Sequence, residues 1–236
     1  MTLKTNARIA GVTFLFYIAV TITSLTLFSR ATGGEGVAAQ LASIAQHATD
    51  LRLTIPLNLL ANLSALVLAV TLYAITRGQD RDLAMLALTC RVAEGIAGMD
   101  VSKTLGLLWL ATGTEGPAHD AGAASVLGAY FLKMEGSFSA SATFFALGST
   151  IFSWLLLRGR MIPAGLAWLG VVASILLVVC LPVQLAGLLG QADWFGTVTR
   201  LMWFPMLLFE VALALWLIFK GVAEPQAANV TGTGNP

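Results

Sequence analysis

The sequence predicts an all-α fold, a polytopic membrane helix bundle of six transmembrane helices with short amphipathic helices in the outer loops. Hydrophobic residues make up 57% of the 236 residues, and charged residues make up only 11%. Soluble domains contain about 25% charged residues, so this chain has too little polar surface for a water-facing globule. Its apolar runs are continuous rather than alternating, which favours membrane helices over barrel strands.

Six apolar runs are long enough to cross a bilayer, which requires roughly 20 residues. They cover residues 9–28, 55–76, 83–112, 136–157, 164–189 and 198–220. The first run is interpreted as a retained anchor, because a signal-peptide core is typically about 7–15 residues long. We expect residues 1–221 to form one six-helix transmembrane domain and residues 222–236 to be a disordered cytoplasmic tail.

Two loop segments have apolar residues at helical spacing, which predicts amphipathic helices that lie on the outer membrane face or cap the bundle. The first contains Val37, Leu41, Ile44, Ala48 and Leu51. The second, residues 118–134, contains Val126, Leu127, Tyr130, Phe131 and Met134.

Lysine and arginine are unevenly distributed between the two sets of loops. With the N-terminus inside, the inner segments contain Lys4, Arg8, Arg77, Arg81, Arg158, Arg160 and Lys220, whereas the outer segments contain Arg30, Arg52, Lys133 and Arg200. Basic residues concentrate on the cytoplasmic side of membrane proteins. The sequence therefore predicts that both termini are cytoplasmic.

Charged residues interrupt the third run, and one more lies in the sixth. A charge at the bilayer centre costs several kcal/mol, so such side chains face the bundle interior and find partners. Arg91 and Glu94 are three residues apart on one predicted helix, and Glu210 lies at a similar depth in the sixth span. One guanidinium can bind two carboxylates, so we predict that the three residues form one hydrogen-bonded cluster. Such a cluster either fixes the helix register or takes part in function.

Further polar residues lie in the outer half of the predicted bundle. Asp100 and Lys103 form a second pair at i,i+3 spacing, and Asn58 and Asn62 are four residues apart on the second span. The others at this depth are Thr54, Ser137, Ser141 and Gln184. Individually, such residues hold membrane helices together. Together they predict the wall of a polar cavity that opens outward, with Glu94 and Glu210 near its floor.

Several kinds of chemistry are excluded by the residues that the spans lack. The two histidines, His47 and His119, lie in predicted outer loops, which excludes membrane-buried Ser–His, HExxH, bis-His haem and di-iron sites. Loop residues His47, Asp50, Glu115, His119 and Asp120 are of metal-binding types but lack ligand spacing, and solvated loop residues are the commoner case. We predict no metal and no cofactor. A net charge of +1 without a basic run gives no indication of nucleic-acid binding.

Four segments together resemble one family. They are ARIAG, LTCRVAEG, LLRGRMIPAGLAWLG and FPMLLFEVALALWLIFKG. Over residues 6–221 the chain resembles a bacterial family of six-pass membrane proteins known as domain of unknown function number four-three-eight-six. The resemblance implies the fold and a membrane location, and places recurrent residues of the family at Arg91, Glu94, Pro163, Gly165, Glu210 and Lys220. It implies no activity, cofactor or catalytic residue. We expect the location to be the cell inner membrane.

Three functions are compatible with these features. The favoured hypothesis is binding or transport of a small amphipathic molecule in the outward-facing polar cavity, with membrane lipids as further partners. An alternative is an interaction or sensor module in which the buried charges are structural. A weaker alternative is an intramembrane enzyme that uses Glu94 or Glu210 as a base.

Overall fold

The computed structural model describes residues 1–113, 120–133, 136–186, 188 and 197–223. This part of the chain contains nine α-helices and no strand. They are α1 (Leu3–Ala31), α2 (Val37–Gln46), α3 (Ala48–Thr76), α4 (Arg81–Ala97), α5 (Ser102–Thr112), α6 (Ala121–Lys133), α7 (Gly136–Arg158), α8 (Ala164–Leu185) and α9 (Thr197–Phe219).

Five of these helices are long and apolar enough to cross a membrane. They are α1, α3, α7, α8 and α9, and each corresponds to one predicted span. The predicted class, an all-helical multi-pass membrane protein, is confirmed. Helices α1 and α3 are longer than their apolar runs, since α1 begins at Leu3 and α3 begins at Ala48.

The third predicted span, residues 83–112, is not one continuous helix. Helix α4 ends at Ala97 and α5 begins at Ser102, so residues 98–101 form a non-helical interruption. Helices α4 and α5 have 17 and 11 residues, so neither reaches the roughly 20 residues of a full crossing. The count of six spans is therefore approximate.

Both predicted amphipathic helices form within the described residues, with some differences in their buried faces. The first is divided between α2, which contains Val37, Leu41 and Ile44, and the start of α3, which contains Ala48 and Leu51. Ile44 is fully buried with Leu51 and with Leu107 of α5. The second corresponds to α6, although Met134 of the predicted segment lies outside the described residues. On α6, Val126 and Tyr130 are 71% and 62% exposed. The buried face of α6 instead contains Ala124 and Gly128. A Cβ at position 128 would lie 2.9 Å from Val37 and 3.1 Å from Leu41, so glycine at this position permits the close packing of α6 on α2.

The helices form two compact units. Unit 1 contains residues 1–12, 68–91 and 145–236, and unit 2 contains residues 13–67 and 92–144. Helices α1, α3, α4 and α7 contribute to both units. Unit 1 also contains α8 and α9, which pack against each other, while unit 2 contains α2, α5 and α6.

Close helix packing in unit 1 depends on two glycines. A Cβ at Gly11 would lie 2.7 Å from the Ala214 carbonyl oxygen, so α1 and α9 approach backbone to backbone. A Cβ at Gly170 would lie 2.5 Å from the Phe209 ring, which packs α8 on α9. Small residues at helix crossings are the usual means of close packing in membranes.

Of the predicted tail, residues 222–236, the structure describes residues 222 and 223. The backbone N–H of Ala223 donates to the Met161 carbonyl over 3.0 Å, which fixes the chain just after α9. Residues 224–236 lie outside the described part, so the disorder expected there stays a prediction.

Candidate functional site

Arg91 is enclosed by residues of α4 and α7 in unit 1. The side chain is only 1% exposed. Its aliphatic part packs directly against Gly148 of α7, where an added Cβ would lie 3.0 Å from Cγ of Arg91. One turn earlier on α7, the Phe145 ring lies 4.8 Å from the guanidinium carbon, within the range of a cation–π contact. The Phe145 ring in turn packs against Trp203 of α9, with 5.8 Å between ring centroids.

Both carboxylates of the predicted cluster are buried. Glu210 on α9 is 6% exposed and belongs to unit 1 with Arg91, whereas Glu94 on α4 is 3% exposed and belongs to unit 2. Their burial agrees with the argument that charges in these spans face the protein interior. The single hydrogen-bonded cluster of Arg91, Glu94 and Glu210 stays a prediction.

A chain of hydrogen bonds in unit 2 connects α1, α3 and the end of α4. The Ser24 hydroxyl donates to the Asn58 side-chain oxygen over 2.7 Å. The Asn62 amide donates to the Asn58 carbonyl over 2.7 Å and to the Gly98 carbonyl over 2.8 Å. The last contact crosses from α3 to the first residue after α4, so Asn62 binds a carbonyl that has lost its helical partner.

Two more hydrogen bonds satisfy backbone groups around the interruption. The Ser141 hydroxyl of α7 donates to the Glu94 carbonyl over 3.0 Å. Asp100 accepts the backbone N–H of Ser102, the first residue of α5, over 2.9 Å in a turn that precedes the helix. The interruption is therefore a structured segment, held by Asn62 of α3 and by its own Asp100, while Ser141 of α7 bonds the last turn of α4 just before it.

The predicted pair of Asp100 and Lys103 is placed at the start of α5. Asp100 is exposed and lies before the first turn, so the two residues do not share one continuous helix as expected. The Lys103 ammonium lies 5.3 Å from the centre of the Phe28 ring on α1, within cation–π range.

The other residues of the predicted cavity wall make local or interhelical bonds. The Thr54 hydroxyl donates to the Leu51 carbonyl on its own helix. Gln184 is in unit 1 rather than unit 2, and its amide donates to the Thr199 hydroxyl of α9 over 3.0 Å. The side chain of Ser137 lies outside the described part of the structure. The polar residues that were expected to form one wall are thus divided between the two units.

The loop residues of metal-binding types have other contacts. The ring of His47 bonds the Ser43 carbonyl, Asp50 lies 3.6 Å from Arg30, and Asp120 caps the start of α6 by accepting the N–H of Gly122. Glu115 and His119 lie outside the described residues. No group of three or more potential ligands occurs among the residues that are described.

Sequence reasoning missed the aromatic and small residues that contact the charges. Phe145 and Gly148 are three residues apart and so share one face of α7, but the sequence does not indicate that Arg91 lies against that face. Ser24 and Phe28 share a face of α1 in the same way. The sequence feature that could have indicated these contacts is weak. It is a small or polar residue one helical turn from an aromatic residue within an apolar run.

The sequence matches the family described as Domain of unknown function (DUF4386) over residues 9–221, which is most of the chain. The chain belongs to this family. No curated protein and no solved structure matches it. Membership in DUF4386 agrees with the resemblance found from the four sequence segments.

Proposed function

We propose that this DUF4386 protein binds a small amphipathic molecule at the interruption between α4 and α5. The observation that carries the proposal is that residues 98–101 are non-helical within an apolar segment and are held by Asn62. In membrane proteins, non-helical backbone is tolerated where it is buried in protein or lines a cavity. Interrupted helices also form the substrate sites of many transporters.

The residues around the interruption match an amphipathic ligand. Asp100 and Lys103 offer both signs of charge for a polar group. Ile96 and Leu105 are 64% and 51% exposed on either side of the interruption and offer apolar surface. Glu94 lies buried one turn before the interruption. Buried carboxylates in membrane segments commonly serve binding or proton transfer.

A structural interaction module is the second candidate function. It is favoured by the bonds of Asn58, Asn62 and Ser141, which all join different helices. In this case the polar residues hold the helices together, and partner proteins or lipids bind elsewhere.

Location and orientation are part of the same proposal. The excess of basic residues in the predicted inner segments supports an inner-membrane protein with both termini in the cytoplasm. A binding site near the interruption would then be reached from the opposite side of the membrane.

The substitution Glu94→Gln separates the two candidate functions, because an amide keeps the shape of the side chain and removes its charge. The measurements are thermal stability in detergent and native mass spectrometry of the purified protein, in which we expect the wild type to retain a non-lipid molecule. A charge-assisted hydrogen bond contributes about 1.5–3 kcal/mol, so we expect Glu94→Gln to weaken the affinity for the ligand about tenfold or more at unchanged stability, which lowers the fraction of protein that retains it.

The control is Asp82→Asn, which removes an exposed carboxylate from the first turn of the same helix. It should retain the molecule at the wild-type level. A wild type without a retained molecule, or a stable Glu94→Gln protein at full occupancy, would leave only the structural function.

A further inference from the structure

Exposed basic residues gather at one end of unit 1. Among its described residues they are Lys4, Arg8, Arg77, Arg81, Arg158, Arg160 and Lys220. Among the residues that the structure describes in these segments, the carboxylates are Asp80 and Asp82. The cations outnumber the carboxylates, so this end has a positive potential that attracts anions.

Named contacts bring the four basic segments together. Arg158 lies 3.5 Å from Asp80, which joins the end of α7 to the connection between α3 and α4. The N–H of Ala223 bonds the Met161 carbonyl, which joins the end of α9 to the connection between α7 and α8. A Cβ at Gly11 would also touch Ile218, so the first turns of α1 lie beside the last turns of α9. The basic residues therefore form one surface.

Arg160 is held in a backbone conformation that usually requires glycine. Its φ is 50°, in the left-handed region. The N–H of Met161 bonds the Leu156 carbonyl and the N–H of Arg160 bonds the Leu157 carbonyl, which is the Schellman arrangement at a helix end. Glycine is the usual residue at this position because it has no Cβ penalty. An arginine that accepts this strain suggests a role for its side chain.

Exposed aromatic residues occur near the same helix ends as these cations. Trp168 is 53% exposed in the second turn of α8, and Phe219 is 77% exposed next to Lys220. Trp154 is 44% exposed, one turn before Arg158. Tryptophan is enriched at the level of lipid headgroups, where its ring is partly in the apolar phase.

We propose that the basic end of unit 1 is a binding site for the phosphate group of an anionic phospholipid. Arg158 ends α7, and Arg160 follows two residues later in the connection to α8. Arg77 lies in the connection between α3 and α4, whose Asp80 contacts Arg158. Guanidinium groups bind phosphate oxygens in bidentate geometry. The neighbouring aromatic residues favour a lipid over free phosphate, because a lipid places its acyl chains against the apolar helix surface beside the headgroup.

The test uses the full-length protein in mild detergent with phosphatidylglycerol or phosphatidylcholine added, and native mass spectrometry counts the bound lipids. The double substitution Arg77→Gln/Arg160→Gly removes two charges, and Arg160→Gly also relieves the strained φ. We expect wild-type protein to prefer phosphatidylglycerol, and we expect the double variant to lose about tenfold or more of that preference. Its melting temperature should not fall, since glycine suits the conformation at position 160.

Arg52→Gln is the matched control, because it removes an exposed arginine from unit 2. It should retain the preference for phosphatidylglycerol. Inorganic phosphate at millimolar concentration should not displace the lipid. Equal binding of the two lipids by the wild type, undiminished preference in the double variant, or displacement by phosphate would each overturn the proposal. If the double variant is not recovered folded, the single substitution Arg160→Gly is tested in its place. An undiminished preference for phosphatidylglycerol in that variant would then overturn the proposal.

Discussion

At the scale of single residues, Arg91 raises the question of what compensates for its buried charge. It is the largest fully buried side chain in the described part of the chain. A desolvated cation–π contact contributes about 2 kcal/mol, and the Phe145 ring makes one such contact. Burial of an ion costs several kcal/mol even after relaxation, so the ring alone does not offset it. This difference supports the predicted contact between Arg91 and at least one buried carboxylate.

Loss of the Arg91 side chain should destabilise the fold whatever its function. We expect Arg91→Ala to lower the free energy of unfolding by about 3–5 kcal/mol, because buried carboxylates lose their compensating charge. Thermal unfolding in detergent measures the change. Arg81→Ala is the control, since Arg81 is exposed at the first position of the same helix, and it should change stability by less than about 0.5 kcal/mol.

A double-mutant cycle tests whether Arg91 and Glu210 interact. Both residues are buried in unit 1, and the predicted depths of their positions match. We expect Arg91→Met and Glu210→Gln to be non-additive, with a coupling energy of about 0.5–3 kcal/mol. The cycle of Arg81→Ala with Glu210→Gln should be additive within about 0.5 kcal/mol. Additivity in both cycles would remove Glu210 from the predicted cluster.

At the scale of helices, the interruption between α4 and α5 shows what the sequence could predict. The apolar content of residues 83–112 predicted a membrane segment, and its charged residues correctly indicated that part of it faces the interior. The helix end at Ala97 was missed because Gly98 alone is a weak signal within an apolar run. The decisive contact comes from Asn62, 36 residues away in sequence, and a single sequence cannot reveal such a partner.

The same contact gives a prediction for the interruption. Asn62→Leu removes the donor to the partly buried Gly98 carbonyl, and a typical intramolecular hydrogen bond contributes about 0.5–1.5 kcal/mol. We expect lower thermal stability and faster hydrogen exchange at the backbone amides of Gly98 and Met99, which now bond the carbonyls of Glu94 and Ile96.

Ser64→Ala provides the comparison on the same helix. The Ser64 hydroxyl donates to the Leu60 carbonyl of its own helix over 2.8 Å. Its removal should leave exchange at residues 98–99 unchanged. If Asn62→Leu also leaves that exchange unchanged, the interruption does not depend on α3.

At the scale of the whole molecule, composition and run length were sufficient to predict the membrane class. They predicted it because burial in lipid requires apolar residues at almost every position of a span, which leaves a strong pattern. The division into two units left no such pattern, since its boundaries fall within α1, α3, α4 and α7. Helix packing depends on individual contacts, such as that of Gly148 with Arg91, which composition does not record.

The orientation across the membrane is the prediction that concerns the entire chain. A cysteine at Gly78 should be shielded from an impermeant thiol reagent in intact cells, because residue 78 lies in a predicted inner connection beside Arg77 and Arg81. A cysteine at Glu35 should be labelled, because residue 35 lies in a predicted outer loop. Position 35 suits the cysteine because Glu35 is exposed. The neighbouring Gly34 does not, because its φ of 113° would strain a cysteine. Both variants require a background without Cys90 and Cys180, and the Gly78→Cys protein should become reactive once the cells are permeabilised. Labelling at position 78 with protection at position 35 would invert the assignment and place the basic surface of unit 1 outside.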